Sequence, residues 1–259
     1  MDFKTISITQ EGAIGILTLN RPEAMNALND ELIREMNQAI DLIAQEDKIR
    51  VLIITGGDKV FAAGGDIKAM LKCGPWEAKK YVSPIHKVFN QITELPKPTI
   101  AAISGFALGG GVELALTCDF RIAAENSKFG FPEINLGIFP AAGGSQRLPR
   151  LIGMSKANEL MFTGDTIDAA AALSIGLVNE VVPNEALMER AMKLAGKLAA
   201  KPPLTIKNLK ESMHNVYNMD LNMGLNMELE KLCSLFVTED QKEGMTAFME
   251  KRKPDFKGK

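Results

Sequence analysis

The chain has 259 residues, of which 46% are hydrophobic and 24% charged, and its net charge is −2. This length and composition are typical of a globular protein with a large core. The nearly neutral charge argues against binding to nucleic acid or to an anionic membrane. Two histidines and three scattered cysteines argue against a histidine-rich metal site and a disulfide framework. We therefore expect carboxylates and backbone groups to carry the chemistry.

The N-terminal segment has neither the regions of a secretory signal nor the Arg-rich pattern of a transit peptide, and we expect a cytoplasmic protein. The cysteines also suit a reducing cytosol. The most apolar window, 99–118, is long enough to raise the question of a membrane span. Because it contains Glu113 and four glycines, we interpret it as buried strand, loop and the start of a helix.

Strand and helix signals alternate along the first hundred residues, and a second unit of strands and helices follows. Residues 5–9 and 14–19 are predicted to form a hairpin across Gly12. Asn29 is predicted to cap a helix whose apolar residues keep a helical spacing. Strands are predicted at 51–55, 99–104, 120–123 and 180–182, and helices at 112–117 and 168–174, the latter closed by Gly176. This alternation predicts an α/β fold.

The character of the chain changes after Lys201-Pro202-Pro203. From 204 to 252, strand signals stop and helical apolar spacing recurs. The apolar positions are Leu225, Leu229, Leu232, Phe236, Met245, Phe248 and Met249. A helical cap on the chain's own core or an arm used for subunit contact would each account for this methionine-rich tail.

Two glycine-rich segments break local rules of structure. The first, 61–68, reads FAAGGDIK, and the second, 105–113, reads GFALGGGVE. Three successive glycines carry a conformational entropy penalty that packing does not demand. They suit a place where backbone N–H groups approach another molecule, and the unpaired N–H groups of a helix start favour an anion. Tight turns between strand and helix are the plainer alternative.

Neither segment is a nucleotide phosphate loop. When the second segment is aligned with GxxxxGK[ST] from Gly105, the positions of Lys and Ser/Thr fall on Gly111 and Val112. The GxGxxG pattern does not follow the first strand either, and Ser145 does not stand in a GxSxG nucleophile elbow. The loops are therefore expected to bind an oxyanion other than a nucleotide phosphate.

Two glutamates stand in apolar surroundings. An unpaired carboxylate at Glu113 would be expensive to bury, and an ion pair with Arg121 or Lys128 is the alternative account of it. Glu133 lies in the similarly apolar segment 130–137 and, taken alone, suits a turn. Together, two such carboxylates beside a glycine-rich amide loop indicate acid/base chemistry with raised pKa values.

These segments, in this order, resemble the crotonase superfamily and, within it, the enoyl-CoA hydratases. The resemblance covers nearly the whole chain. It rests on Leu19-Asn20-Arg21-Pro22, Asn26-Ala27-Leu28, 61–68, 105–113, 129–137, 140–147, 173–178 and 248–252. The family implies a ββα spiral catalytic core, here residues 1–200, and a C-terminal helical trimerisation region, here 201–259. It also implies homotrimers, usually paired as hexamers.

The resemblance implies a hydro-lyase that adds water to enoyl-CoA, as in fatty-acid β-oxidation, with no metal and no cofactor beyond the CoA of the substrate. The N–H groups of Gly65 and Gly110 would hold the thioester oxygen. Glu113 would help to deprotonate the water, and Glu133 would protonate the α-carbon. Contacts to CoA are expected at Ala63, Gly64, Gly65, Asp66, Ile67, Lys68, Gly110 and Lys251.

The chain departs from the common hydratase pattern at Gly65, Ser104, Phe131 and Ala141. Phe131 and Ala141 leave the preferred acyl group open. Retention of both glutamates favours hydration, with an isomerase or a specialised hydratase for cyclic or branched enoyl-CoA as the alternative. The near-neutral charge disfavours an RNA-binding relative, and the two glutamates disfavour a non-catalytic acyl-CoA binder.

Overall fold

Within residues 3–259, the part of the chain that the computed structural model describes, ten strands and eleven α-helices follow one another. The strands are β1 (Ile6–Glu11), β2 (Ile14–Leu19), β3 (Val51–Thr55), β4 (Val60–Ala62), β5 (Thr99–Ile103), β6 (Phe106–Leu108), β7 (Phe120–Ala124), β8 (Lys128–Gly130), β9 (Thr166–Asp168) and β10 (Glu180–Val182). The helices are α1 (Asp30–Gln45), α2 (Ile67–Met70), α3 (Pro75–Glu94), α4 (Gly110–Ala115), α5 (Gly144–Ile152), α6 (Met154–Thr163), α7 (Ala169–Ser174), α8 (Leu187–Ala199), α9 (Pro203–His214), α10 (Leu221–Leu235) and α11 (Glu239–Met249). Short 3-10 helices occupy Pro22–Ala24, Pro132–Leu136 and Asn184–Ala186.

The larger sheet has six strands in the order β1-β2-β3-β5-β7-β10. β1 and β2 form the predicted antiparallel hairpin, and the other neighbours are parallel. Along β3, Leu52 and Ile54 join one apolar cluster, whereas Val51 and Ile53 join the other. Both faces of β3 are therefore buried, as its continuous apolar run indicated.

Helices cover both faces of the larger sheet. On one face, α8 packs across β2, β3, β5 and β7, and on the other α1 packs against α3. α1 begins where predicted, because Oδ1 of Asn29 accepts the N–H of Leu32 at 3.0 Å. This bond satisfies one of the donors that a helix start leaves free. The apolar stripe of α1 is buried: Leu32, Met36, Ile40 and Ile43.

A second sheet of three-residue strands was not predicted. Its order is β4-β6-β8-β9, with β9 antiparallel to β8 and the other neighbours parallel. The pairs β3–β4, β5–β6 and β7–β8 each place one strand in the larger sheet and the next in the smaller one. This repetition is the expected ββα spiral. Both glycine-rich segments lie where a strand of the smaller sheet leads into a helix.

The window 99–118 forms β5, β6 and α4, as interpreted from the sequence. α4 is buried along its whole length, which accounts for the apolar character of this window. Among the described residues, no helix combines the length and the apolar character needed to cross a membrane.

The C-terminal residues form α9, α10 and α11, which confirms the predicted helical tail. α9 is tied to the core by a buried ion pair, in which Nζ of Lys210 donates to Oδ2 of Asp119 at 2.8 Å. The same carboxylate accepts the N–H and the hydroxyl of Thr99, at the start of β5. The first helix of the tail is therefore fixed to the larger sheet by charge as well as by packing.

Lys210→Met is expected to lower the free energy of unfolding by about 3–5 kcal/mol, because Asp119 would stay buried without its cation. Burial by itself raises the pKa of Asp119, but bonds from His214 and Lys210 hold that pKa below its ordinary value. The destabilisation should therefore be full at neutral pH and shrink in acid. Urea unfolding measures it. Lys207→Met, exposed on the same helix, should stay within about 0.5 kcal/mol of the parent, and equal midpoints for both variants would contradict the prediction.

Candidate active site

Glu113 lies on α4 and is only 3% exposed. Its Oε1 accepts two backbone N–H groups, from Ala142 at 2.8 Å and from Gly144 at 2.7 Å. A Cβ added at Gly144 would lie 2.9 Å from the same oxygen. The turn that precedes α5 therefore wraps closely around the carboxylate and leaves no room there for a side chain.

The ion pair with Arg121 or Lys128 that could have explained Glu113 is wrong. The Arg121 guanidinium donates instead to the carbonyl groups of Leu177 and Cys118, and Lys128 is exposed. Burial raises the pKa of Glu113 to about 7, against the opposing effect of the two amides and of the charge of Arg147. A carboxyl group with this pKa can take up or release a proton near neutral pH.

Glu133 lies in the 3-10 helix Pro132–Leu136, directly after β8. Burial, together with the nearby charge of Glu113, raises its pKa to about 7. Its Oε2 is buried and has no hydrogen-bond partner among residues 3–259. Buried polar atoms are nearly always paired in folded proteins, so this oxygen is a candidate for contact with a bound molecule.

Gly109, the residue between β6 and α4, lies against Glu133 and begins the helix that carries Glu113. The Gly109 carbonyl accepts the N–H of Glu113 at 3.0 Å, and a Cβ on Gly109 would overlap the carboxylate of Glu133. Gly109 has a φ of +49°, a conformation that side chains disfavour. Both features require glycine here, so the expectation that packing does not demand the successive glycines is wrong, and Gly109 contacts the backbone of Glu113 and the carboxylate of Glu133.

The two glycine-rich segments pack backbone against backbone. A Cβ on Gly64, where φ is +99°, would lie 3.5 Å from the nitrogen of Gly110, and a Cβ on Gly110 would lie 3.5 Å from Cα of Gly64. Within the described part of the chain, the N–H groups of Gly65 and Gly110 donate no hydrogen bond. The structure thus brings together the two segments that were predicted to supply an oxyanion hole, with both donors free.

The segment that carries Gly65 is held by its neighbours. The N–H of Leu28 donates to the Gly64 carbonyl at 2.8 Å. The hydroxyl of Tyr81, on α3, accepts the N–H of Asp66 at 2.8 Å and donates to the carbonyl of Leu28. These bonds fix the peptide units on either side of Gly65 and leave its own N–H unused.

Apart from Gly110, which begins α4, and Lys251, the residues expected to contact CoA lie at the N-terminal end of α2. Ile67 and Lys68 are exposed on its first turn. The carboxylate of Asp66 caps α2 by accepting the N–H groups of Lys68 and Ala69. Lys251 is exposed just beyond the end of α11. Within one chain, the Asp66 carboxylate is therefore already bonded to backbone N–H groups of α2. Lys251 lies in a different region of the fold, beyond the end of α11.

Gly65→Ala is expected to change kcat by less than about threefold, because a backbone N–H is unaffected by an added methyl group. The new Cβ would lie 3.1 Å from Cε of Met70 and 3.4 Å from the Tyr81 hydroxyl, and the flexible Met70 side chain can move. Gly110→Ala is the matched comparison and should lower kcat more than Gly65→Ala does. Its Cβ would meet Leu28 at 2.9 Å, beside the Gly64 backbone. Steady-state rates of both variants test this, and a larger loss for Gly65→Ala would contradict it.

The groups that hold the site residues in place are not visible in the sequence patterns. Ala142 and Gly144 hold Glu113 through backbone amides, which side-chain chemistry does not reveal. The glycine pair 143–144 was the available signal, but neither the nucleophile-elbow pattern nor the family resemblance of 140–147 indicates a contact with Glu113. The role of Tyr81 was not predicted, because its bonds to Leu28 and Asp66 form only when α3 packs against the segment before α2.

A cavity of about 490 Å³ lies between α9 and the core, lined by Asp119, Lys210, His214 and Arg147 among others, and neither Glu113 nor Glu133 lines it. Its polar groups already bond to protein partners, as the Lys210–Asp119 pair illustrates. Among the residues that the structure describes, no group of three His, Cys, Asp or Glu side chains is arranged to hold a metal ion.

Comparisons with known proteins agree with this geometry. The profile of a family described as Enoyl-CoA hydratase/isomerase matches residues 9–259. A crotonyl-CoA hydratase of Syntrophomonas wolfei is 45% identical over 257 residues, which cover 99% of each chain. A short-chain-enoyl-CoA hydratase of Clostridium acetobutylicum is 44% identical over 98% of this chain and 97% of that protein.

Solved structures extend the similarity to the fold. The crystal structure of an enoyl-CoA hydratase from Bacillus anthracis has a TM-score of 0.95 and 42% identity, covering 99% of this chain and all of that one. A second enoyl-CoA hydratase, from Geobacillus kaustophilus, has the same TM-score and 44% identity over the full length of both chains. The chain belongs to the enoyl-CoA hydratase/isomerase family of the crotonase superfamily.

Proposed function

We propose that this protein is an enoyl-CoA hydratase, which adds water reversibly and with syn geometry to 2-trans-enoyl-CoA and forms 3-hydroxyacyl-CoA. The observation that carries the proposal is the pair of carboxylates at Glu113 and Glu133, which interact electrostatically and each have a pKa raised to about 7. Hydration needs one group to accept a proton and another to donate one, and an equally perturbed pair beside free amide donors meets this need.

The N–H groups of Gly65 and Gly110 bind the thioester oxygen of the substrate. Negative charge develops on this oxygen when the nucleophile attacks the β-carbon, and donors held in place for that charge stabilise the transition state. Removal of one such donor typically lowers kcat by about 10²- to 10³-fold. The absence of a competing acceptor in the described residues supports this role for both amides.

The glutamates move the protons of the added water. Ionised Glu113 accepts a proton as the water oxygen bonds to the β-carbon, and protonated Glu133 gives its proton to the α-carbon. The water molecule thereby supplies the hydroxyl group, and the pair keeps one proton throughout, now on Glu113. Exchange of that proton between the carboxylates restores the starting state, so the reaction needs no metal and no further cofactor. The pair titrates as a unit.

CoA lies along Ala63–Lys68 in this proposal, with Lys68 near a phosphate group. The exposed first turn of α2 and the exposed Lys68 side chain support this placement. Asp66 contributes through its cap on α2, which orders the segment. Lys251 reaches a CoA phosphate from a neighbouring subunit, because within one chain it lies at the end of α11.

The assay is direct. Purified protein mixed with crotonyl-CoA should abolish the absorbance of the conjugated enoyl thioester and form 3-hydroxybutyryl-CoA. Crotonyl-CoA is the first choice because the relative from Syntrophomonas wolfei is named a crotonyl-CoA hydratase. A series of linear, branched and cyclic enoyl-CoA substrates then defines the acyl preference, which Phe131 and Ala141 leave open.

The same preparation separates the alternatives. An isomerase would leave crotonyl-CoA unchanged and convert a 3-enoyl-CoA into the conjugated 2-enoyl-CoA, with a gain of absorbance. A non-catalytic binder would retain CoA thioesters in equilibrium dialysis without changing either substrate. Either result would overturn the proposed hydratase activity.

We also propose a homotrimer or a pair of trimers. α10 buries none of its residues in the single chain, and its apolar positions Leu225, Leu229 and Leu232 are each about half exposed, whereas Phe248 on α11 is 82% exposed. A surface of this kind is typical of a protein interface. Light scattering should give three or six times the mass of one chain, and a monomer would contradict this.

The three free cysteines support a cytoplasmic location.

A further inference from the structure

Side chains bind the turn that holds Glu113 on the side away from this carboxylate. Residues 141–144 connect to α5, and two of their N–H groups bind the carboxylate. On the other side of this turn, Nη1 of Arg147 donates to the Ala142 carbonyl at 3.3 Å. This peptide segment is therefore bound on both sides. Its N–H groups donate to Glu113, and its Ala142 carbonyl accepts from Arg147.

Arg147 is in turn held by α3. Its Nη2 donates to Oδ1 of Asn90 at 2.8 Å, and one helical turn earlier Nε2 of His86 donates to the Ala141 carbonyl. α3 thus fixes the turn at two points, directly through His86 and indirectly through Asn90 and Arg147. The planar guanidinium suits such a bridge, because its donors point in fixed directions.

Gly143 shows how closely the guanidinium lies against the turn. A Cβ added at this position would overlap Nη1 of Arg147, and the φ of Gly143 is +111°. Glycine is therefore required here both by the backbone conformation and by the position of the Arg147 head group. The sequence Gly143-Gly144 accommodates a cation on one side and a carboxylate on the other.

The charge of Arg147 acts on Glu113. It lowers the pKa of this carboxyl group against the effect of burial, while Glu113 favours the charged form of Arg147. Of the elements that pack on α4, β4 and β6 carry no titratable side chain, and α5 carries Arg147 and Arg150. Arg150 bonds to Gln146. Further titratable neighbours are Glu133, His86 across the turn, and Arg121, which donates to the Ala115 carbonyl at the end of α4.

We propose that Arg147, oriented by Asn90, is a positioning residue for the reaction: it fixes the turn that presents two amides to Glu113 and holds a positive charge on the far side of that turn. The inference rests on the proposed hydratase function, in which Glu113 must be ionised to accept a proton from water. Arg147 does not touch the substrate and acts through the Ala142–Gly144 turn. Its removal should therefore change the rate constant and the pH profile of hydration, and leave substrate binding in place.

The experiment compares Arg147→Gln, Arg147→Lys and Asn90→Ala with the parent protein. For Arg147→Gln, we expect kcat to fall by up to about 100-fold, since small displacements of a catalytic group have effects of this size. The acid limb of the profile of kcat against pH should move upward by about one pH unit, because an opposite charge near a carboxylate has been lost. KM should change by less than about threefold.

Arg147→Lys separates charge from geometry. A lysine keeps the positive charge but not the fork that joins Asn90 to the Ala142 carbonyl, so the acid limb should return toward that of the parent while kcat stays low. Asn90→Ala should lower kcat with little shift of the limb, and its effect should not add to that of Arg147→Gln. Arg150→Gln, exposed on the same helix, is the matched control and should behave as the parent.

A purely structural role would be visible as a lower free energy of unfolding, with an unmoved acid limb in the folded fraction, and this result would overturn the inference. Infrared titration of the Glu113 carboxyl group, assigned by difference from Glu113→Gln, gives a readout that needs no turnover. An upward shift in Arg147→Gln would support the inference even if the parent fails to hydrate crotonyl-CoA, which would count against the proposed function alone. An unshifted titration would overturn the inference.

Discussion

Replacement of Glu113 by glutamine is expected to lower kcat for hydration by about 10²- to 10⁴-fold, the range typical of a lost general base. Glutamine keeps a carbonyl oxygen that can accept the N–H groups of Ala142 and Gly144, so the turn should stay in place. KM should change little, because the carboxylate acts on the water and not on CoA. Initial rates with crotonyl-CoA near neutral pH provide the measurement.

Glu125→Gln is the control for this variant, because Glu125 is exposed after β7. It should retain the rate of the parent protein. If Glu113→Gln keeps full activity as well, the assignment of Glu113 as the proton acceptor is wrong. Circular dichroism of Glu113→Gln should match that of the parent. A changed spectrum would mean that the loss of activity reflects unfolding and not the loss of the proton acceptor.

The same variant should be more stable than the parent above neutral pH. The pKa of Glu113 is about 7 in the folded chain, against an ordinary value of 4.5. As the pH rises, the unfolded chain therefore loses this proton at a lower pH than the folded chain does. The free energy of unfolding falls as the pH rises between these two pKa values. A shift of this size corresponds to about 3 kcal/mol. Glu113→Gln lacks this ionisation, so its free energy of unfolding relative to that of the parent, measured in urea, should rise from pH 4 to pH 8. The same difference between variant and parent at both pH values would contradict this.

Gly109→Ala is expected to lower kcat about as much as removal of Glu133, by about 10²- to 10⁴-fold. The added Cβ would overlap Oε1 of Glu133 and push this carboxylate away from the site. The φ of +49° adds backbone strain, for which we expect a loss of about 1–3 kcal/mol in the free energy of unfolding. Steady-state kinetics and urea unfolding measure the two effects separately.

Two comparisons isolate the cause. Gly176 has a φ of +78° and open space around its Cβ position, so Gly176→Ala should show the strain without the loss of kcat. In a Glu133→Ala background, Gly109→Ala should lower kcat only slightly further, because the group that it displaces is already gone. Fully additive effects in this background would show that Gly109 acts by a route other than Glu133.

Part of the fold followed from local sequence patterns. The β1–β2 hairpin, the cap of α1 at Asn29 and the helical tail were predicted because each depends on residues close together in the chain. The smaller sheet was not predicted, since strands of three residues such as β4 and β6 are too short to show an alternating pattern. Their pairing depends on contacts between successive turns of the spiral.

The partner of Glu113 shows the same limit within the site. The sequence offered Arg121 and Lys128, because cations are visible in a sequence and backbone amides are not. The actual partners, Ala142 and Gly144, follow Glu113 by about thirty residues and bind it through groups that every residue possesses. Only the packing of α5 against α4 selects these two amides from all the others.

By itself, the sequence determined that this protein relies on carboxylates and glycine-rich backbone, and it identified Glu113, Glu133, Gly65 and Gly110 as the residues to consider. The glutamates follow from charges in apolar surroundings and the two segments from their clustered glycines, whereas Gly65 and Gly110 within these segments follow from the resemblance to the crotonase superfamily. The tertiary structure alone decided that the charge of Glu113 acts on Glu133 and that burial raises both pKa values to about 7. Distance and desolvation are properties of the folded chain, because they arise when segments far apart in sequence exclude water from the same place.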